Sequence, residues 1–131
     1  MAKIYREAGF DAVAITDHWV YHPQGEIGGL KIISGCEYNI DFGIRDTADG
    51  IMHIVGIGMK TKPELDEKTA RRQEVIDAIN DCGGMAVLAH PYWSLNTKED
   101  VEALHDFSLL EIYNSVSDVH QSVRPYSGYL V

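Results

Sequence analysis

Four places in the chain bring side chains able to bind a divalent cation to the edge of a short apolar run. His18, preceded by Asp17, follows "DAVAIT", Glu37 lies in "LKIISGCEYNI", His90 closes "MAVLAH", and Glu111 and Asn114 belong to "SLLEIYN". Imidazole nitrogen is a good ligand for borderline transition metals, and a carboxylate can bridge two ions, so this set suits zinc, manganese or iron. One histidine at a strand end reads equally well as a hydrogen-bonded structural residue. Several such residues at successive strand ends favour a metal site.

These residues converge only if the apolar runs are strands of one α/β unit. "MAKIYREA" has helical spacing of Met1, Ile4, Tyr5 and Ala8, with Gly9 just past its end. Ala12 to Thr16 reads as a buried strand, and residues 21 to 29 as a loop rich in Gly and Pro. "LKIISGCEYNI" reads as one second strand and "IMHIVGIGM" as a third, with a turn at Asp49-Gly50 between them. Thr61 and Glu64 have capping-box spacing, which predicts a helix from about Pro63 to Asp81, closed by Gly83-Gly84. "MAVLAHP" is the fourth strand, a helix runs from a cap at Thr97 through about Asp106, and "SLLEIYN" is the fifth strand.

Strands alternating with helices predict an α/β fold with a largely parallel sheet, whose strand C-termini share one face. His53 does not fit that scheme, because it opens its strand. It reaches the same rim only if its strand runs antiparallel to the one before it, which the Asp49-Gly50 turn permits. His22, in the loop after His18, is a candidate substrate contact. Arg45 and Arg124 could hold a phosphate, although single loop arginines are more often merely solvated. His105 reads as an ordinary, partly exposed helix residue.

The chain has 131 residues, 45% hydrophobic and 24% charged, the size and balance of one globular domain. No apolar run has the roughly 18 residues of a membrane span, and the start lacks the pattern of a secretory signal, so the expected compartment is the cytoplasm. Cys36 and Cys82 stand far apart, outside any CxxC pair, and read as small buried hydrophobes. A formal charge of −9 disfavours sequence-independent binding to nucleic acid. A Walker phosphate loop, HExxH, a dinucleotide-binding glycine pattern and GxSxG are all absent from the sequence.

Taken in order, "GFDAVAITDH", "SGCEYNI", "MHIVGIG", "GGMAVLAHP" and "LLEIYN" resemble the successive motifs of the polymerase and histidinol phosphatase (PHP) family. The resemblance covers nearly the whole chain. It implies a distorted (β/α)7 barrel, incomplete here with about five strands, and a metal-dependent phosphoesterase that holds up to three zinc, manganese or iron ions. By position, His18 matches the TDH metal ligand, Glu37 the bridging carboxylate, and His53 and His90 two further imidazole ligands. Asp17 matches the residue before the first of these, in an orienting or hydrogen-bonding role in catalysis rather than as a ligand.

The departures are as specific as the matches. The family's opening strand with His-x-His has no counterpart, and Asp118-Val119-His120 follows the fifth strand too soon to be its closing Asp-x-His. The resemblance therefore implies that residues 1–131 are an internal piece of a single PHP domain. Glu37, His53 and His90 would keep one metal position complete while His18 loses its co-ligands, leaving one well-held ion and weak or no activity. The implied reaction of the whole protein is hydrolysis of a small phosphate ester by a metal-bound hydroxide. Alternatives are a PHP nuclease or polymerase-accessory module and a non-catalytic metal-binding domain. An incomplete barrel would expose strand edges, through which homo-oligomers could form.

Overall fold

A computed structural model describes residues 1–40 and 51–114. Within them lie ten elements: α1 (Ala2–Glu7), β1 (Ala12–Ala14), β2 (Gly25–Ile27), β3 (Leu30–Ile33), β4 (Gly35–Ile40), β5 (Met52–Ile57), α2 (Arg72–Asp81), β6 (Met85–Ala89), α3 (Lys98–Glu102) and β7 (Leu109–Leu110). They form a mixed α/β structure with two sheets, ordered β1-β3-β2 and β4-β5-β6-β7. Among the described residues no ladder closes these sheets into a barrel.

The second sheet carries the core. Alternation along β4 turns Cys36, Tyr38 and Ile40 to one face, and alternation along β5 does the same for Met52 and Ile54. Val75, Ile76 and Ile79 of α2 bury completely against this face, with Leu88 and Ala86 from β6. The opposite face is left to Glu37, Asn39, His53 and Val55, which are only partly buried. Binary patterning thus separates a greasy side from a polar side within the same two strands.

Several expectations need correction. The sheets are not largely parallel: β2-β3, β4-β5 and β5-β6 are antiparallel, and only β1-β3 and β6-β7 are parallel. The expected second strand is two strands in different sheets, broken at Ser34. That residue is buried and its hydroxyl donates to the Met59 carbonyl at 2.6 Å, while its own carbonyl accepts the Gly58 N–H at 2.9 Å. The expected loop before it contains β2, and the fifth strand is only Leu109–Leu110.

The long helix begins at Arg72 rather than near Pro63. Asp66 explains the delay, because its carboxylate accepts the Lys68 N–H at 2.8 Å and its carbonyl accepts the N–H groups of Thr69 and Ala70. A side chain that satisfies nearby backbone donors in a turn competes with helix. The Arg71 N–H then donates to Glu74 at 2.9 Å, so the real helix start uses a carboxylate ten residues after the expected one. Thr97 caps α3 as expected, but that helix stops at Glu102 and His105 lies beyond it.

The two sheets meet beside the first histidine. Past β1, the Trp19 N–H donates to the Glu37 carbonyl at 2.8 Å and the Glu37 N–H donates to the Asp17 carbonyl at 3.1 Å, a parallel bridge that sets His18 opposite Glu37. Gly35 makes this approach possible. A Cβ there would stand 2.5 Å from the Ile15 carbonyl oxygen.

Candidate metal centre

Three strand systems deliver the site. The bridge just described brings His18 to β4, where its Nε2 lies 3.4 Å from Glu37 Oε1. The antiparallel ladder sets Asn39 directly opposite His53, so the beginning of β5 meets the end of β4. His53 is in turn paired with Ala89, the last residue of β6, and His90 follows immediately. His90 Nε2 stands 3.9 Å from the same Glu37 oxygen.

The imidazoles follow one another in a row, His18 stacked on His53 and His90 tilted against it. The ring centres of His18 and His53 are 5.5 Å apart and those of His53 and His90 are 4.8 Å apart. One ligand atom from each of His18, Glu37 and His53 lies within 4.8 Å of the others. The tightest trio is therefore not the expected Glu37, His53 and His90, although His90 is adjacent through the shared Glu37 oxygen. Two imidazoles and a carboxylate at this spacing are a chemically suitable donor set for a divalent transition metal.

Burial and like neighbours act on the central ring. Desolvation, with His90 and His18 on either side, pushes the His53 pKa down to about 4, from an ordinary value of 6.5. The ring is thus neutral at neutral pH, with one nitrogen carrying hydrogen and the other free to bind. His53 Nδ1 lies 3.2 Å from the hydroxyl of Ser94, which is buried. His90 is held by Glu111, whose Oε2 accepts the His90 backbone N–H at 3.0 Å and lies 3.3 Å from its Nδ1.

His90 has φ of 32° and Trp19, next to His18, has φ of 58°. A non-glycine residue in the left-handed region is uncommon, and two such residues flank this centre. Asn39 adds a further polar group to the same face, and its buried Oδ1 has no hydrogen-bond partner among the described residues.

Asp17 and His22 form a neighbouring pair. His22 Nε2 lies 2.8 Å from Asp17 Oδ2, with the Asp17 side chain 68% exposed. The Asp17 carboxylate thus orients His22, and only its main-chain carbonyl engages Glu37. Arg45, Asp118, His120 and Arg124 lie outside the described residues. His105 pairs with Asp106 at 2.8 Å on the surface, away from the centre.

Cys36 is buried on the core face of β4, where desolvation pushes its thiol pKa up, and it behaves as a packed apolar group. Among the described residues no helix is long and apolar enough to cross a membrane.

The sequence does not single out Ser94, and it offers Glu111 as one of the ligand-type residues at strand ends rather than as the partner of His90. A serine four residues beyond a strand-end histidine carries no signal of its own. Its part follows from the turn over residues 90–96, in which the Ser94 N–H donates to the His90 carbonyl at 3.0 Å. Compared with known proteins, the chain matches no family model and no curated protein.

Proposed function

We propose that the chain is the metal-binding part of a hydrolase acting on phosphate esters, with a small phosphomonoester as substrate. The observation that carries this reading is the convergence of His18, Glu37 and His53 within 4.8 Å, with His90 beside the same carboxylate. The order of motifs that resembles the PHP family supports the phosphoester chemistry. A divalent ion in such a site supplies Lewis acidity, which activates water near neutral pH and offsets charge on phosphoryl oxygens.

The chain's own residues do the positioning. Glu37 sits between His18 and His90, with one oxygen 3.4 Å from the first ring and 3.9 Å from the second, and would serve as the carboxylate ligand of a bound ion. His53 offers a neutral ring with one free lone pair at neutral pH because burial disfavours its cation. His22, oriented by Asp17 at 2.8 Å, is the residue assigned to contact the ester. The net charge of −9 supports a small substrate over a nucleic acid, since a polyanion needs a basic track.

The test is zinc and manganese content after metal loading, together with hydrolysis of p-nitrophenyl phosphate, for the natural chain and for His53→Ala. Metal uptake that disappears in His53→Ala, accompanied by hydrolysis, supports the reading. Metal uptake with turnover absent also from any longer protein that contains this chain points to a non-catalytic metal-binding domain, and absence of uptake overturns the metal centre altogether.

A further inference from the structure

We propose that Glu111 and Ser94 are positioning residues which fix the ring orientations of His90 and His53, so that each imidazole presents Nε2 to the divalent-cation site around Glu37. This rests on the metal reading above and extends it from the ligands to the groups that aim them.

Each ring is engaged from behind through Nδ1. Glu111 Oε2 lies 3.3 Å from His90 Nδ1 and accepts the backbone N–H of the same residue at 3.0 Å, a two-point grip on one histidine. An ionised carboxylate only accepts hydrogen bonds, so the ring proton belongs on Nδ1 and the lone pair on Nε2. That nitrogen is the one 3.9 Å from Glu37. The other oxygen of Glu111 is held as well, by the Asn114 side-chain amide at 2.8 Å.

Ser94 plays the same part for His53, with its Oγ 3.2 Å from Nδ1. A hydroxyl can give or accept, and a cation on Nε2 selects the arrangement in which Nδ1–H donates to Oγ. The hydroxyl is itself rigidly placed. The Ser94 N–H is bonded to the His90 carbonyl at 3.0 Å, and the buried Asn96 amide lies 3.4 Å from both the Ser94 and Ile51 carbonyls, tying the turn to the start of β5. One turn thus carries His90 and orients His53. Oriented outer partners also raise the basicity of a ligating ring, and their removal typically costs about 10- to 100-fold in metal affinity.

The experiment is zinc affinity by competition with a chromophoric chelator, on the natural chain and on Ser94→Ala, Ser94→Thr, Glu111→Ala and Glu111→Gln, with Glu102→Gln as a surface control. Ser94→Ala and Glu111→Ala should each weaken zinc binding by about 10- to 100-fold. Ser94→Thr and Glu111→Gln, which keep an acceptor, should recover most of the loss, and Glu102→Gln should change nothing. Nitrogen-15 spectra of the zinc-loaded natural chain should show Nε2 metallated and Nδ1 protonated in both rings.

Failure of the natural chain to bind zinc removes the metal reading and this inference with it. Zinc binding that stays within about twofold in both alanine variants overturns the inference alone. So does a spectrum with Nδ1 metallated, which decides the matter even if an alanine variant fails to fold.

Discussion

Asn39 and His53 face each other across the antiparallel ladder of β4 and β5, on the polar side of a sheet whose other side is packed core. The pairing puts the first residues of β5 beside the last residues of β4, so a histidine at a strand's beginning joins one that follows a strand's end. Asn39 bears the cost of this location, because its Oδ1 is buried without a partner among the described residues. An orphaned buried acceptor costs about 1–3 kcal/mol, and valine is the better strand former. Asn39→Val should therefore stabilise the metal-free protein by about 1–2 kcal/mol, seen as a higher urea midpoint. An unchanged or lower midpoint would show that the amide is satisfied in solution.

Gly35 governs the opposite approach, that of His18 to Glu37. A methyl group at this position would meet the Ile15 carbonyl at 2.5 Å and the Thr16 methyl at 2.9 Å, contacts that only backbone displacement can relieve. Gly35→Ala should destabilise the chain by at least about 2 kcal/mol. Because the displaced segment leads directly to His18, zinc affinity should fall more than it does for Gly28→Ala, whose Cβ would meet nothing within 4 Å. Equal affinities in the two variants would separate the bridge from the metal centre.

The site residues were more legible than the elements that hold them. His18, Glu37 and His90 stand out because each ends or punctuates an apolar run, and their chemistry is local to the side chain. His53 was legible only conditionally, since strand direction is settled by pairing partners far along the chain and not by the strand's own residues. The break at Ser34 was invisible for a related reason: "LKIISGCEYNI" is uniformly strand-like, and the interruption is made by Met59 and Gly58 reaching back to Ser34. Helix starts divide in the same way. Thr97 with Asp100 behaves as its spacing predicts, whereas Thr61 with Glu64 loses to the Asp66 turn. Side-chain periodicity reads burial well in β4 and β5, but not in α1 or the expected buried strand β1, neither of which holds a buried residue, and it reads tertiary hydrogen bonds not at all.

Zinc should raise the melting temperature of the natural chain. A ligand that binds only the folded state stabilises it by RT ln(1 + [L]/Kd), about 2.7 kcal/mol when free ligand is 100 times Kd. His53→Ala removes the central ring of the row and should abolish the shift, while His105→Ala, on the surface beside Asp106, should leave it intact. The same shift in all three proteins would place zinc elsewhere.

Acid should weaken the chain partly through Asp100. Burial pushes this carboxyl's pKa up, but hydrogen bonds from Thr97 and the Arg72 guanidinium outweigh it and hold the pKa below the ordinary value of 3.8. The Arg72 contact is 3.3 Å and the Thr97 backbone bond is 2.8 Å, so one carboxylate ties α3 to α2 while capping α3. With the folded pKa depressed, the unfolded chain binds the proton more tightly. The stabilisation is therefore complete above the unfolded pKa and is lost as pH falls through the ordinary carboxylate range toward the folded value. Asp100→Asn should lower stability at neutral pH and flatten the loss of stability below about pH 5, measured by urea unfolding across pH. Thr97→Ala, which removes the cap but keeps the carboxylate, should cost about 1 kcal/mol at neutral pH. It should leave part of the acid slope, because Arg72 still faces Asp100. An acid limb unchanged in Asp100→Asn would assign the pH dependence to other groups.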